Sequence, residues 1–357
     1  MSKSTIEKKL LTIAASREPF TDIDISPGEP TLVRYSTGWS PLGSEGWAMD
    51  EVELLLDLLD HDWRKTIKLG DISVNYPTDE WTLRCSACMA FNKDHPTISI
   101  RRAPRYPVTL ADTGLPNEVR LMAENPRGLV LLTGATGSGK STTAAALVEC
   151  INESRRAKII TIEDPIEYLY VPKKSIFVQR EVGRDTPSFF QGVRLAMRQR
   201  PDVIVIGEIR DRETAEAALQ AGESGHLVFA TLHANSAYGA IQKLLSFFPG
   251  ETETKLTSLS NCLMGVINHL MVPAVDQKDC VLAVEMLFNH KQQVSSFLDV
   301  KDKVNELISR SSDGLSRSMA DSLIAHVKAK RVTSSDALQA VVGQGLVYDR
   351  LKSALGI

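Results

Sequence analysis

At 357 residues, 43% hydrophobic and 24% charged, the chain holds enough apolar sequence for two ordinary globular cores. A net charge of −3 excludes a general pull toward nucleic acid or an anionic membrane, and no apolar stretch approaches the roughly 20 residues that span a bilayer. Residues 1–11 are polar and charged without a signal-peptide core, and five scattered cysteines do not form a disulfide framework, so the expectation is a cytoplasmic protein that meets a membrane only through partners.

Residues 1–105 read as one α+β unit. Residues 4–15 carry apolar side chains at helical spacing, and residues 21–26 alternate into the turn Pro27-Gly28-Glu29-Pro30. Residues 31–35 read as a strand and residues 49–59 as a helix. Residues 71–76, 81–91 and 97–101 read as strands of an antiparallel sheet. Cys85 and Cys88 form a lone CxxC within one of them, and with no second pair they read as strand residues, not zinc ligands. Proline and charge crowd residues 103–107, which places an interdomain linker there.

From residue 117 the pattern changes. Residues 128–133, 157–162, 202–206 and 227–232 are short apolar runs rich in Val, Ile and Leu, with helical patterns between them. Strands that are apolar on both sides predict a parallel sheet covered on both faces. Beyond residue 253 the chain reads as mostly helical. The domains expected are 1–105 and 106–357, the second an α/β motor domain with C-terminal helices.

The chemistry concentrates in Gly134-Ala135-Thr136-Gly137-Ser138-Gly139-Lys140-Ser141, which matches GxxxxGK[ST] between an apolar strand and a helix. Glycines let backbone N–H groups turn toward phosphates, and the helix N-terminus adds positive potential. Lys140 is the expected β,γ-phosphate contact, Ser141 a Mg²⁺ ligand and Thr142 an α-phosphate contact, so ATP and Mg²⁺ are the expected cofactors. Residues 202–206 lead to Gly207-Glu208, a strand ending in a carboxylate for Mg²⁺ and water, although Gly-Glu stands where Asp is common. Residues 160–162 lead likewise to Glu163 and Asp164, and Glu163 is the candidate to orient the attacking water. His226 and His233 bracket residues 227–232, and His233 falls where a γ-phosphate would lie. Arginines cluster between the acidic strands; taken singly, each reads as part of a solvated helix face.

These motifs occur in a specific order: residues 134–142, Thr161-Ile-Glu-Asp-Pro-Ile-Glu-Tyr168, Gln179-Arg-Glu-Val-Gly183, Arg198-Gln-Arg-Pro-Asp-Val203, Gly207-Glu-Ile-Arg-Asp211 and finally residues 224–233. In that order they resemble the type II/IV secretion ATPase superfamily, most closely its type IV pilus retraction (PilT-like) branch. Residues 22–34, 83–85, 100–104 and 110–116 extend the likeness outward. The resemblance implies a PAS-like N-terminal domain, a RecA-like P-loop ATPase domain, a ring homohexamer and an inner-membrane platform protein as partner. It makes Glu163 the catalytic glutamate, Glu208 the Walker B acid, and His226 and His233 the histidine box. Arg194, Arg198 and Arg210 match arginines that reach nucleotide at a subunit boundary, and Arg84 and Arg101 would reach it from the N-terminal domain.

Two departures bear on the machine. Residues 293–300 stand where retraction ATPases carry an Ala-Ile-Arg-Asn-Leu-Ile-Arg-like stretch, and Asn268-His-Leu-Met-Val-Pro273 replaces a usual Gln-Arg-Leu. A type IV secretion or conjugation ATPase of the DotB kind is therefore the alternative to pilus retraction. A DNA-translocating motor is a third reading, supported by Arg101, Arg102 and Arg105 and opposed by the acidic balance.

Overall fold

The computed structural model describes residues 2–35, 38–90, 95–277, 279–289, 308 and 314–357. The chain divides into two compact units, one of Met1–Tyr106 with Asp276–Cys280, the other of Pro107–Val275 with Val281–Ile357.

The first unit contains α1 (Lys3–Ala14), β1 (Asp22–Ile25), β2 (Pro30–Tyr35), β3 (Gly38–Gly46), α2 (Met49–Leu59), α3 (Trp63–Leu69), β4 (Ile72–Pro77), β5 (Trp81–Ala90) and β6 (His95–Pro104). Its six strands form one antiparallel sheet in the order β3-β2-β1-β6-β5-β4. Alternation decides which face is dry. Ile23 and Ile25, Leu83, Cys85 and Ala87, and Ile98 and Ile100 are buried with Ile6, Leu10, Leu55 and Leu56 from the helices. Cys85 and Cys88 lie three apart on β5, so one thiol is buried and the other exposed on the opposite face.

Arg102 has another role than the one its charge suggested. Its guanidinium donates to the carbonyls of Ala14, Ser16, Glu18 and Phe20 and lies over the Phe20 and Trp81 rings. It thus ties the end of α1 to β6. Arg105 donates to Thr78 O and Arg101 pairs with Asp22, so the three arginines read as support for DNA binding are engaged within the unit.

The second unit is built on a seven-stranded sheet, β13-β12-β7-β11-β10-β8-β9. It contains α4 (Arg120–Glu124), β7 (Gly128–Gly134), α5 (Lys140–Ser154), β8 (Lys158–Glu163), β9 (Ile176–Glu181), α6 (Phe189–Met197), β10 (Val203–Ile206), α7 (Arg212–Glu223), β11 (Leu227–Leu232), α8 (Ala237–Ser246), α9 (Thr252–Cys262), β12 (Leu263–Pro273) and β13 (Cys280–Phe288). The strands from β12 through β9 pair in parallel. β7, β10 and β11 are buried along their whole length, because helices cover both faces. One core holds Leu147, Val148 and Ile151 of α5, and the other holds apolar residues of α6, α7, α8 and α9. The parallel order brings the carboxyl ends of β7, β8, β10 and β11 to one edge of the sheet, where open α/β sheets bind ligands.

Several elements differ from expectation. Residues 263–288, read as mostly helical, form β12 and β13. β12 follows α9 without a turn, so its apolar run merges with the helical pattern before it. β6 continues through Ala103 and Pro104 into the expected linker, since proline is tolerated at a strand's end. The edge strand β9 was not foreseen. The C-terminal part is helical from α10 (Met319–Lys328) through α11 (Ser334–Ala340) to α12 (Gly345–Leu355), packed around Val272, Leu323, Val341 and Leu351.

Candidate active site

The phosphate loop runs from the end of β7 into α5. Gly134, Gly137 and Gly139 have φ of 136°, 77° and 94°, values that side-chain-bearing residues rarely adopt. Gly134 is constrained further: a Cβ there would lie 2.5 Å from Ser138 Oγ and 2.6 Å from the His269 carbonyl. Lys140 Nζ donates to the carbonyls of Gly134 (2.9 Å) and Ala135 (2.7 Å). Burial lowers the Lys140 pKa, while the charges of Glu208 and Glu167 oppose that shift. Ser138 Oγ is buried without a hydrogen-bond partner among the described residues. A loop of three positive-φ glycines, an unsatisfied buried hydroxyl and the start of a 15-residue helix fits a phosphate chain. Thr142 Oγ1 lies 2.9 Å from the hydroxyl of Tyr168, a residue not singled out in the sequence.

The two acids end adjacent strands. Gly207 N donates to Ile162 O at 2.7 Å, and a Cβ on Gly207 would meet that oxygen at 3.1 Å and Glu163 Cα at 3.2 Å. Glycine before Glu208 thus allows β10 to close on β8. Glu208 is held on both oxygens: His233 Nε2 lies 3.1 Å from Oε1, and Arg210 Nε donates to Oε2 at 2.7 Å. Arg210 also reaches Asp164 at 3.2 Å, and the hydrogen bond to Glu208 raises its pKa. Glu163 accepts from Thr161 Oγ1 at 2.7 Å and from Glu167 N at 3.2 Å. Burial raises its pKa, only partly offset by these bonds and one from Gln179. Gln179 of β9 also bonds the backbone of Tyr168 and Tyr170, which holds the segment after Glu163 in place.

A family model described as "Type II/IV secretion system protein" matches residues 65–342, well over half of the chain. The chain belongs to this family. A twitching motility protein of Neisseria gonorrhoeae is 35% identical to it over 300 residues, 84% of this chain and 76% of that protein. The pilus retraction motor PilT, solved with bound ADP, superposes with a TM-score of 0.78 at 32% identity, covering 93% of this chain and 96% of that one. The ATPase DotB of Legionella pneumophila superposes with a TM-score of 0.84 at 26% identity, covering 95% and 96%.

Not every residue expected at the site of this secretion-family protein is there. His226 is a correction. It precedes β11, its Nδ1 lies 3.1 Å from Ala221 O, and its carbonyl accepts from Gly128 N at the start of β7. That is the amino edge of the sheet, a full strand length from the phosphate loop, because β7 and β11 run parallel. The side chains of Arg194 and Arg198 stand exposed at the end of α6, with no hydrogen bond or ion pair to another described residue. Arg84 and Arg101 face each other across β5 and β6 in the first unit. Residues 293–300 lie outside the described residues. Sequence reasoning missed Tyr168, Asn268, His269 and Glu285. Tyr168 lay within a quoted motif, and Asn268 and His269 within a stretch noted only as a departure. Glu285, buried on β13, accepts from Ala237 N at the start of α8, and nothing in its local sequence marked it.

Proposed function

We propose that this chain is a motor that couples ATP hydrolysis to type IV pilus retraction, working as a homohexamer at the cytoplasmic face of the inner membrane through a platform protein. It is a P-loop ATPase of its family, and the observation that carries the reading is the meeting of Lys140, Glu208 and His233 at one sheet edge. The positive-φ loop would hold the phosphates by backbone N–H groups, with Lys140 turning from its loop carbonyls to the β- and γ-phosphates. Ser141 and Glu208 would hold Mg²⁺, which when bound neutralises charge between the β- and γ-phosphates. Glu163 would orient and deprotonate the attacking water, and its raised pKa makes its carboxylate a better base. His233, bonded to Glu208, would report the γ-phosphate to the end of β11. Arg194 and Arg198, whose side chains are exposed and unpaired among the described residues, are suited to meet a nucleotide held by a neighbouring subunit.

One observation favours a second reading, transport by a type IV secretion machine: the superposition on DotB has the higher TM-score, although identity to PilT is higher. Complementation separates the two. A retraction-null pilated strain should regain twitching with this chain and not with Glu208→Ala. ATP hydrolysis by the purified protein, with light scattering near six subunits but no rescue of twitching, would favour the secretion machine. Absence of hydrolysis and of assembly would reject both.

A further inference from the structure

Beneath the phosphate loop lies a histidine that the chemistry above does not use. His269 sits on β12 directly opposite Gly134. Its side chain is buried, with Nδ1 2.8 Å from Thr133 O and Nε2 2.9 Å from Thr143 Oγ1. A carbonyl only accepts, so Nδ1 carries the proton and Nε2 accepts from the threonine hydroxyl. Thr133 is the residue before the loop, and Thr143 is in the first turn of α5 after it. The ring therefore bonds both ends of the loop at once. The backbone adds to this, since the His269 carbonyl is one of the atoms that restrict position 134 to glycine. The preceding residue extends the link: Asn268 Oδ1 accepts from Thr133 Oγ1, and its Nδ2 donates to Asn235 O, each at 3.1 Å. Asn235 is two residues beyond His233. Burial also pushes the His269 pKa down to about 4, helped by the charge of Lys140, so the ring is neutral at physiological pH.

We propose that His269 is a positioning residue that holds residues 134–139 in their nucleotide-binding shape by bridging Thr133 and Thr143, with Asn268 tying the same point to the His233 turn. This rests on the assignment of residues 134–142 as the phosphate site. A histidine that only filled space would be replaceable by an apolar side chain of similar size. A positioning histidine is not, because the loop must hold several N–H groups on the phosphates at once.

The test compares full-length His269→Leu, Thr143→Val and His269→Gln with wild type, reading affinity for a fluorescent ADP analogue, ATP turnover and melting temperature. His269→Leu keeps bulk and loses both bonds, Thr143→Val loses one hydroxyl, and His269→Gln places an amide where Nε2 reaches Thr143. His269→Leu and Thr143→Val should each weaken ADP binding by about tenfold. Because they break one shared bond, the double variant should fall short of the product of the two effects. His269→Gln should recover most of the affinity. Folded His269→Leu and Thr143→Val proteins that bind within about twofold of wild type, with only a lower melting temperature, would overturn the proposal. Should His269→Leu fail to fold, Thr143→Val decides alone. Lys140→Ala keeps the two outcomes apart. If it still binds ADP as wild type does, the phosphate-site assignment itself fails. If it loses ADP while the His269 and Thr143 variants keep it, only the role of His269 falls.

Discussion

His233 Nε2 lies 3.1 Å from Glu208 Oε1, joining the end of β11 to the end of β10. The register Ile206↔Ala230 makes this meeting possible, and Ile209 N reinforces it by donating to Thr231 O at 3.0 Å. A carboxylate fixed there can act on the metal and the water without contributing to the hold on the phosphates, which belongs to the loop. Glu208→Gln should therefore keep ADP affinity and lower kcat by about 100-fold or more. His233→Ala should lower kcat by about tenfold with little change in KM, because it frees one side of Glu208 without removing the acid. Steady-state hydrolysis and ADP titration measure both. A loss of ADP binding in Glu208→Gln equal to its loss of turnover would contradict this division of labour.

Glu163 gives a pH signature. Burial is the main cause of its raised pKa, and the bonds from Thr161, Glu167 and Gln179 work against it. A base acts in its deprotonated form, so kcat should fall as pH drops through a midpoint above the ordinary glutamate range. Glu163→Gln should abolish that acidic limb and lower kcat by about 100- to 10,000-fold. A wild-type profile flat down to the ordinary glutamate range would remove Glu163 from the base role.

Arg102 predicts a stability effect away from the nucleotide. Its four carbonyl partners come from the end of α1 and the chain that follows, and its guanidinium lies between two aromatic rings. Methionine would keep much of the packing and leave those carbonyls without their shared donor. Arg102→Met should cost about 3 kcal/mol or more, since each bond to a charged donor contributes about 1.5–3 kcal/mol. Calorimetry of the full chain should show a transition lowered by on the order of 10 °C. An unchanged melting profile would mean that water replaces the guanidinium at no cost.

How legible these features were depended on whether the information was local. Residues 134–141 combine glycines at fixed offsets with a flanking strand and helix, so the loop could be placed without its partners. Glu163 and Glu208 were legible as acids ending apolar strands, because a parallel sheet sends such ends to one edge. His226 was grouped with His233 through the family resemblance and because the two bracket one apolar run, yet six strand residues separate the two edges of the sheet. Arg102 suggested nucleic acid by charge alone, and its four carbonyl acceptors lie more than 80 residues away in sequence. β12 was invisible because α9 runs into it without punctuation, and with it went Asn268 and His269, whose meaning lies wholly in what they touch.

Acid should expose His269 in a second, independent way. Its native pKa is about 4, against an ordinary value of 6.5. Between those values the unfolded chain binds a proton that the native ring refuses, so stability falls as pH falls. The contribution is intact above pH 6.5 and fully lost below about pH 4, a difference of about 3 kcal/mol at 1.36 kcal/mol per unit. Glu163 and Glu285, whose pKa values burial raises, act with the opposite sign, since the native state holds their protons longer as pH rises. The comparison must therefore be between wild type and His269→Gln, which share both glutamates and differ at the titrating ring. Urea unfolding at pH 7, 5.5 and 4.5 should show wild type losing stability more steeply than the variant on the acid side, with the gap opening below pH 6.5. Parallel losses in the two proteins would mean that the ring is protonated in the native state, and that its bond from Thr143 cannot have the polarity assigned to it.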